Sequence, residues 1–280
     1  MFRGDPSHLV FDAIFESGNL GSVEQLNEDE YDLFIREDFG SPRHSLWFYF
    51  TVTRARAGQV VLFNVHNLCK TRSLIRDGMA PVVRSSSSGQ WQRLPSSDCF
   101  YHSDCEERKH YVCSFLLAFE GPEVIYEIAY CYPYSLTDLK LFLSTLPQSR
   151  GRDVPLLTIS QPHNLKRYRA GEQMPGLIIS ARVHPGETPS SYLCEGLLRF
   201  LVSSDPHAEE LLEKFVIQVI PMLNPDGVVM GQYRCNAKGF DLNRCWRMPT
   251  VSAQPIVHAV KRLLFTVSAS MLRCTRAFNV

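Results

Sequence analysis

The segment with the clearest chemical potential in the 280-residue chain reads Arg182-Val183-His184-Pro185-Gly186-Glu187. His184 and Glu187 stand three residues apart across a Pro-Gly turn, so both side chains can point at one metal ion. An imidazole paired with a carboxylate suits Zn²⁺. Matches of this length are also common in surface turns, where both side chains are simply solvated. The segment alone therefore leaves a metal site and a strand-end turn both open.

A second segment, from Asn224 to Arg244, carries two arginines and an asparagine that could bind an anion. A planar guanidinium binds a carboxylate through two parallel hydrogen bonds, and Asn243 beside Arg244 adds an amide donor. Arg234 and Arg244 could both reach the end of the strand that precedes them. The alternative interpretation is a hairpin-like surface loop with two solvated arginines.

Strands and helices must alternate to position these side chains. Apolar runs predict strands over Val154–Ile159, Gly176–Val183 and Phe215–Leu223, the last one covered on both faces of its sheet. His184 follows one of these strands directly, and sites in open α/β sheets lie beyond the carboxyl ends of the strands. Residues 135–280 are therefore predicted to form an α/β region.

The connections next to the two segments also carry local signals. Thr188 and Pro189 predict the start of a helix, with Thr188 as its N-cap. The tetrapeptide Asn224-Pro225-Asp226-Gly227 predicts a turn. The periodicity predicts that one apolar face of the helix is formed by Tyr192, Leu193, Gly196, Leu197, Phe200 and Leu201.

Residues 1–134 predict an all-β sandwich. Short runs rich in β-branched and aromatic residues recur with turn clusters between them, over Leu46–Val52, Gln59–Val65, His110–Phe119 and Val124–Tyr132. Short strands at such spacing are typical of two packed sheets.

Composition narrows the classes of partner. The 29 basic and 29 acidic residues give zero net charge, which argues against a nucleic-acid surface. The chain contains no apolar run long enough for a membrane-spanning helix and no secretory signal pattern. Its nine cysteines form no CxxC pair, which favours free thiols in a reducing compartment. We therefore expect a cytoplasmic protein with neither nucleic acid nor membrane as a partner.

Read in chain order, HPGETPSS, PMLNPDGV and GFDLNR resemble the M14-type zinc metallocarboxypeptidases. The earlier stretches HLVFDAIFESGNLG, EYDLFIR, DGMAP, WQRLP and AYCYPYS are similar to the N-terminal β-sandwich of the cytosolic carboxypeptidase branch. The resemblance covers roughly residues 9–264. It implies a peptidase that hydrolyses C-terminal or side-chain glutamates from acidic protein tails, those of tubulin among them.

The resemblance also implies a role for each matching residue. Zinc is the expected cofactor, with His184 and Glu187 as its first two ligands. Arg234 matches the arginine that stabilises the oxyanion, and is thus the expected catalytic residue. Asn243 and Arg244 match the clamp for the terminal carboxylate of the substrate.

The residues after Arg244 depart from the family pattern, which places a second histidine ligand and a carboxylate general base there. They include one histidine, His258, and no Asp or Glu. His258 falls in the helix-like stretch Pro255–Leu264, whereas the ligand of the family lies on a later strand. We therefore expect residues 135–280 to be an incomplete, C-terminally truncated metallocarboxypeptidase domain. An inactive isoform, or a module that binds acidic tails without cleaving them, stays open as the alternative function.

Overall fold

The computed structural model describes residues 8–72, 74–103, 110–146, 155–172, 174–270 and 277–279. They fall into two units, Met1–Pro133 with Val228–Tyr233 and Tyr134–Gly227 with Arg234–Val280. The first unit is built on β-strands and the second mixes helices with strands. The predicted fold class, an all-β sandwich followed by an α/β region, is confirmed. The division into domains 1–134 and 135–280 stays a prediction.

Two five-stranded sheets form the first unit. One has the strand order β1-β4-β10-β6-β7 and is antiparallel, and the other has the order β2-β3-β5-β9-β8 with one parallel pair, β3 and β5. The strands are β1 (Val10–Asp12), β2 (Ser22–Asn27), β3 (Glu30–Phe34), β4 (Tyr49–Thr53), β5 (Val60–Leu68), β6 (Val82–Ser85), β7 (Trp91–Arg93), β8 (Cys99–Ser103), β9 (Tyr111–Ala118) and β10 (Tyr126–Ala129).

Both sheets contribute to one aromatic core. Phe11 of β1 meets Phe63 of β5 edge to face, with ring centroids 6.1 Å apart, although the two strands belong to different sheets. Phe48, Phe50 and Phe115 are fully buried in the same cluster. Side chains from two sheets that share one interior layer define a sandwich.

A four-stranded mixed sheet lies in the second unit, in the order β11-β13-β12-β14. Strand β12 runs parallel to β13 and β14, and β11 is antiparallel at the edge. The elements are α1 (Leu136–Thr145), β11 (Leu157–Ile159), α2 (Pro162–Arg169), β12 (Gly176–Ser180), α3 (Pro189–Leu201), α4 (Pro206–Lys214), β13 (Val216–Ile220), α5 (Pro225–Val229), a 3-10 turn (Leu242–Arg244), α6 (Pro255–Ser270) and β14 (Ala277–Asn279).

Burial in the second unit centres on β13. All five of its residues are buried, as its continuous apolar sequence predicts for a strand covered on both faces. Val257 and Val260 of α6 belong to the same buried apolar cluster as Ile220. None of the helices in the described ranges combines the length and the apolar character that crossing a membrane requires.

The apolar face predicted for α3 is wrong at most of its positions. Tyr192 and Leu193 are 46% and 56% exposed, and Leu201 is buried as predicted. The exposed Gly196 and the partly buried Leu197 and Phe200 are not core residues either, and the interior is taken by Ser190, Ser191, Cys194 and Leu198. The two serines face inward because both of their hydroxyls form hydrogen bonds with the buried Arg182.

Two local predictions beside α3 and β13 are also corrected. Thr188 occupies the N-cap position, but its side chain makes no capping hydrogen bond because its own backbone is already helical, with φ −59° and ψ −31°. The predicted turn Asn224–Gly227 instead begins the short helix α5. The Asn224 side-chain oxygen accepts the Gly227 N–H at 3.2 Å, which caps that helix.

Candidate active site

The candidate site lies where the parallel strands β12 and β13 end. Ser180 pairs with Ile220 at the last matched position of the two strands. The pairing then continues through backbone bonds of 2.9 Å from Ala181 N–H to the Ile220 oxygen and from Leu223 N–H to the Ala181 oxygen. His184, which follows β12, and Asn224, which follows β13, therefore lie at the same edge of the sheet.

His184 and Glu187 converge across the turn between them. His184 is 5% exposed, and its Nδ1 lies 2.9 Å from Glu187 Oε1. This contact lacks hydrogen-bond geometry, and Nδ1 has no hydrogen-bond partner in the described part of the chain. A buried polar atom left in this state costs free energy.

Zinc fits this pair. Two ligand atoms on one zinc, each bound at about 2.0–2.2 Å, stand roughly 3–3.5 Å apart. The observed separation needs only a small adjustment to reach that value, and the metal would satisfy the orphaned nitrogen.

Asp241 links His184 to the arginine side of the site. Its Oδ1 accepts a hydrogen bond from His184 Nε2 at 3.1 Å, and its Oδ2 accepts one from Arg234 Nε at 2.7 Å. With Nε2 as the donor, Nδ1 carries the lone pair and faces Glu187. A carboxylate therefore sets the imidazole in the tautomer that a metal at Nδ1 requires.

The Asp241 carboxyl is held as an anion. Burial alone would raise its pKa, but the hydrogen bonds from Arg234 and His184, together with the charge of Arg234, outweigh burial and bring the pKa below its ordinary value. The side chains of Asp241 and Arg234 are only 14% and 16% exposed, so water screens their ion pair weakly.

Asn243 and Arg244 follow Asp241 in the 3-10 turn. Asp241 Oδ1 accepts the Asn243 N–H at 2.9 Å and so caps this turn. The indole Nε1 of Trp246 donates to Asn243 Oδ1 at 3.1 Å, which leaves the amide N–H₂ on the opposite side of the group. Arg244 is exposed, and its Nη1 donates to the Asn243 backbone oxygen at 3.3 Å.

The structure thus joins four side chains in one network, His184, Glu187, Asp241 and Arg234, and places Asn243 and Arg244 next to it along the chain. Asp241 was not among the residues selected from the sequence. A signal for it exists: it is the one acidic residue between Arg234 and Phe265, a stretch with six Lys and Arg.

None of the four network side chains lines the cavity of about 420 Å³ in the second unit. Apolar side chains and one arginine line it: Leu156, Ile220, Ile256, Ala259, Val260, Arg262 and Leu263. Because no candidate residue reaches this cavity, its size says nothing about the site.

Comparison with known proteins gives two family matches. Residues 11–112 match the cytosolic carboxypeptidase N-terminal domain, and residues 147–257 match the zinc carboxypeptidase family. The family match confirms zinc as the cofactor predicted from the sequence. The ligand residues themselves stay a prediction.

Individual relatives agree with the family models. Cytosolic carboxypeptidase 6 of Mus musculus is 47% identical over 94% of this chain and 51% of its own length, and that of Homo sapiens is 48% identical over 94% and 55%. This chain therefore spans about half the length of the curated relatives it matches. The crystal structure of a metallo-carboxypeptidase from Burkholderia cenocepacia has a TM-score of 0.76 and 26% identity, over 97% of this chain and 70% of that one. Residues 147–257 belong to the zinc carboxypeptidase family, and residues 11–112 to the N-terminal domain of the cytosolic carboxypeptidases.

Proposed function

We propose that this chain serves a zinc metallocarboxypeptidase that removes C-terminal or side-chain glutamates from acidic protein tails, with tubulin tails as the expected substrates. The observation that carries the proposal is the carboxylate of Asp241, which accepts hydrogen bonds from both His184 and Arg234. One network thereby contains a metal-ligand pair and an anion-binding arginine. The cytosol is the proposed location, since the relatives are named cytosolic carboxypeptidases.

Each side chain has a chemical task in this proposal. Zinc held by His184 Nδ1 and Glu187 Oε1 would polarise a carbonyl and lower the pKa of a bound water. Arg234 stabilises negative charge that develops on the carbonyl oxygen of the substrate, because its guanidinium is already oriented by Asp241. Asn243 and Arg244 bind the terminal carboxylate through amide and guanidinium donors.

The charge of the segment that contains Arg234 and Arg244 supports an acidic substrate. From Arg234 to Phe265 the chain has six basic residues and one acidic residue, Asp241, which is already paired with Arg234. The stretch therefore carries a net positive charge that attracts glutamate-rich tails and disfavours basic ones.

One observation supports a second candidate function, an acidic-tail binding module without catalysis. Among the described residues, no third His, Cys, Asp or Glu places a ligand atom within 4.8 Å of the ligand atoms of both His184 and Glu187. Catalytic zinc in this class uses three protein ligands. A carboxylate clamp does not need that third ligand, so binding could occur where hydrolysis does not.

The test compares His184→Ala with His163→Ala. His163 makes a contact of the same kind, Nε2 to Glu213 Oε1 at 3.1 Å, on an exposed surface. We expect His184→Ala to abolish zinc binding and zinc-dependent release of glutamate from a glutamate-tailed peptide, and His163→Ala to leave both unchanged. Equal behaviour of the two variants would contradict the metal site.

The variant Arg244→Ala tests whether Arg244 recognises the terminal carboxylate of the peptide or only contributes positive charge. It should weaken binding of peptides with a free terminal carboxylate far more than binding of the same peptides with an amidated end. If the parent chain binds these peptides but shows no zinc-dependent hydrolysis, it is a binding module for acidic tails. Equal losses for both peptides would remove the clamp.

A further inference from the structure

Arg182 is a fully buried arginine two residues before His184. It is 1% exposed, and its backbone adopts φ +57°, a left-handed conformation that residues other than glycine rarely take. Both features are unfavourable by themselves, since a buried guanidinium loses its hydration and a left-handed backbone is strained. Such a combination persists only where the surrounding contacts hold it.

The contacts of Arg182 converge on the turn that carries the metal-ligand pair. Its Nε donates to the Pro185 backbone oxygen at 2.7 Å, inside the turn. Its Nη1 donates to Ser191 Oγ at 2.8 Å, in the first turn of α3, and to the Tyr134 oxygen at 3.0 Å.

The backbone of Arg182 takes part as well. Its N–H donates to Ser190 Oγ at 3.2 Å, and the same hydroxyl donates to the Glu187 oxygen at 2.9 Å. The residue therefore fixes the end of β12, the middle of the turn and the start of α3 to one another.

We propose that Arg182 is a positioning residue for the metal site. Its guanidinium holds the turn in the shape that brings His184 Nδ1 and Glu187 Oε1 2.9 Å apart. The proposal rests on the proposed function in that this pair is the metal site. A lysine cannot replace it, because one ammonium lacks the rigid fork that reaches Pro185, Ser191 and Tyr134 together.

Three variants separate the side chain from the backbone. Arg182→Ala removes the guanidinium and keeps the strained backbone, Arg182→Gly removes the guanidinium and relieves the strain, and Arg182→Lys keeps a charge. We expect zinc affinity, measured by competition with a chelating dye, to fall 10- to 100-fold in all three, the range typical of residues that orient metal ligands. The absorption bands of bound Co²⁺ should shift in each variant, because the ligand geometry changes.

Leu198→Ala is the matched control for lost stability. Leu198 is fully buried in α3, so its truncation destabilises the same helix without removing a hydrogen bond from the turn. Zinc affinity and the Co²⁺ spectrum should stay as in the parent chain. Losses in Leu198→Ala as large as those in the Arg182 variants would show that general stability is responsible, and unchanged zinc affinity in Arg182→Gly would show that the guanidinium is not needed.

Amide hydrogen exchange without metal distinguishes this inference from the proposed function. The Glu187 N–H donates to the His184 oxygen at 3.1 Å within the turn. We expect its exchange in the metal-free protein to accelerate at least tenfold in Arg182→Ala and Arg182→Gly, and by less than threefold in Leu198→Ala. If the parent chain binds no zinc but this pattern is seen, Arg182 orders the turn and the proposed function fails. Unchanged exchange in the Arg182 variants overturns the positioning role.

Discussion

Replacing Asp241 by asparagine tests the link between the two halves of the site. The amide keeps nearly the same shape but loses the negative charge. Its N–H₂ end must face either Arg234 Nε, which can only donate, or His184 Nε2, which can accept only in the tautomer that carries the proton on Nδ1. In the parent chain these donors lie 3.1 Å and 2.7 Å from the carboxylate oxygens. The substitution therefore either sets two donors against each other at Arg234 or favours the His184 tautomer whose Nδ1 carries a proton and cannot bind a metal.

The size of the effect follows from burial and from the two bonds. A hydrogen bond to a charged group contributes about 1.5–3 kcal/mol. The side chains of Asp241 and Arg234 are 14% and 16% exposed, so most of this contribution should survive screening by water. We expect a loss of about 2–3 kcal/mol in the free energy of unfolding of the metal-free protein. Loss of the carboxylate that orients a ligand histidine lowers metal affinity 10- to 100-fold, or about 1.4–2.7 kcal/mol.

The assay is urea unfolding of the metal-free protein, followed by zinc competition at pH 7, with Asp226→Asn as the control. Asp226 is an exposed residue of the neighbouring Asn-Pro-Asp-Gly sequence, so the same substitution there should change neither quantity. If Asp241→Asn binds zinc as tightly as the parent chain while His184→Ala does not bind it, Asp241 does not orient the ligand histidine.

Three further predictions concern packing, capping and thiol chemistry. Gly227→Ala should lower the free energy of unfolding by about 1–3 kcal/mol, since its methyl would lie 2.5 Å from Pro185 Cγ and 2.7 Å from the Cys235 oxygen. In contrast, the methyl of Gly196→Ala in α3 would meet no atom within 4 Å, so this variant should be more stable by about 0.5–1 kcal/mol. Ser135→Ala should destabilise by about 1 kcal/mol because it removes the capping box of α1, and an unchanged urea midpoint would contradict that cap. Burial raises the pKa of the Cys194 thiol to about 12, so it stays protonated at pH 8 and iodoacetamide should not label it before unfolding; rapid labelling of the native protein would refute this.

The parts of the structure that the sequence predicts are those governed by short-range patterns. Runs rich in β-branched and aromatic residues predict strands, and the run Leu46–Val52 overlaps β4. The spacing of His184 and Glu187 predicts convergence because three residues across a turn return to the same side. The continuous apolar run Phe215–Leu223 predicts a strand covered on both faces, and all five residues of β13 are buried.

The parts that were missed depend on contacts between residues far apart in the chain. Asp241 lies 57 positions from His184, and Arg182 lies 48 positions from Tyr134, so no local pattern joins them. The wrong face of α3 has the same origin. Ser190 and Ser191 are buried by hydrogen bonds to Arg182, and a hydrophobicity pattern does not register such bonds.

One zinc ion held between His184 and Glu187, with Asp241 orienting the histidine, should be visible in a crystal structure of the zinc-bound chain with anomalous scattering recorded at the zinc edge. We expect one anomalous peak about 2.0–2.2 Å from His184 Nδ1 and from Glu187 Oε1, with Nε2 still bonded to Asp241. A peak at Nε2, or zinc bound at another place while this pair stays as it is, would show that His184 and Glu187 do not hold the metal in this way.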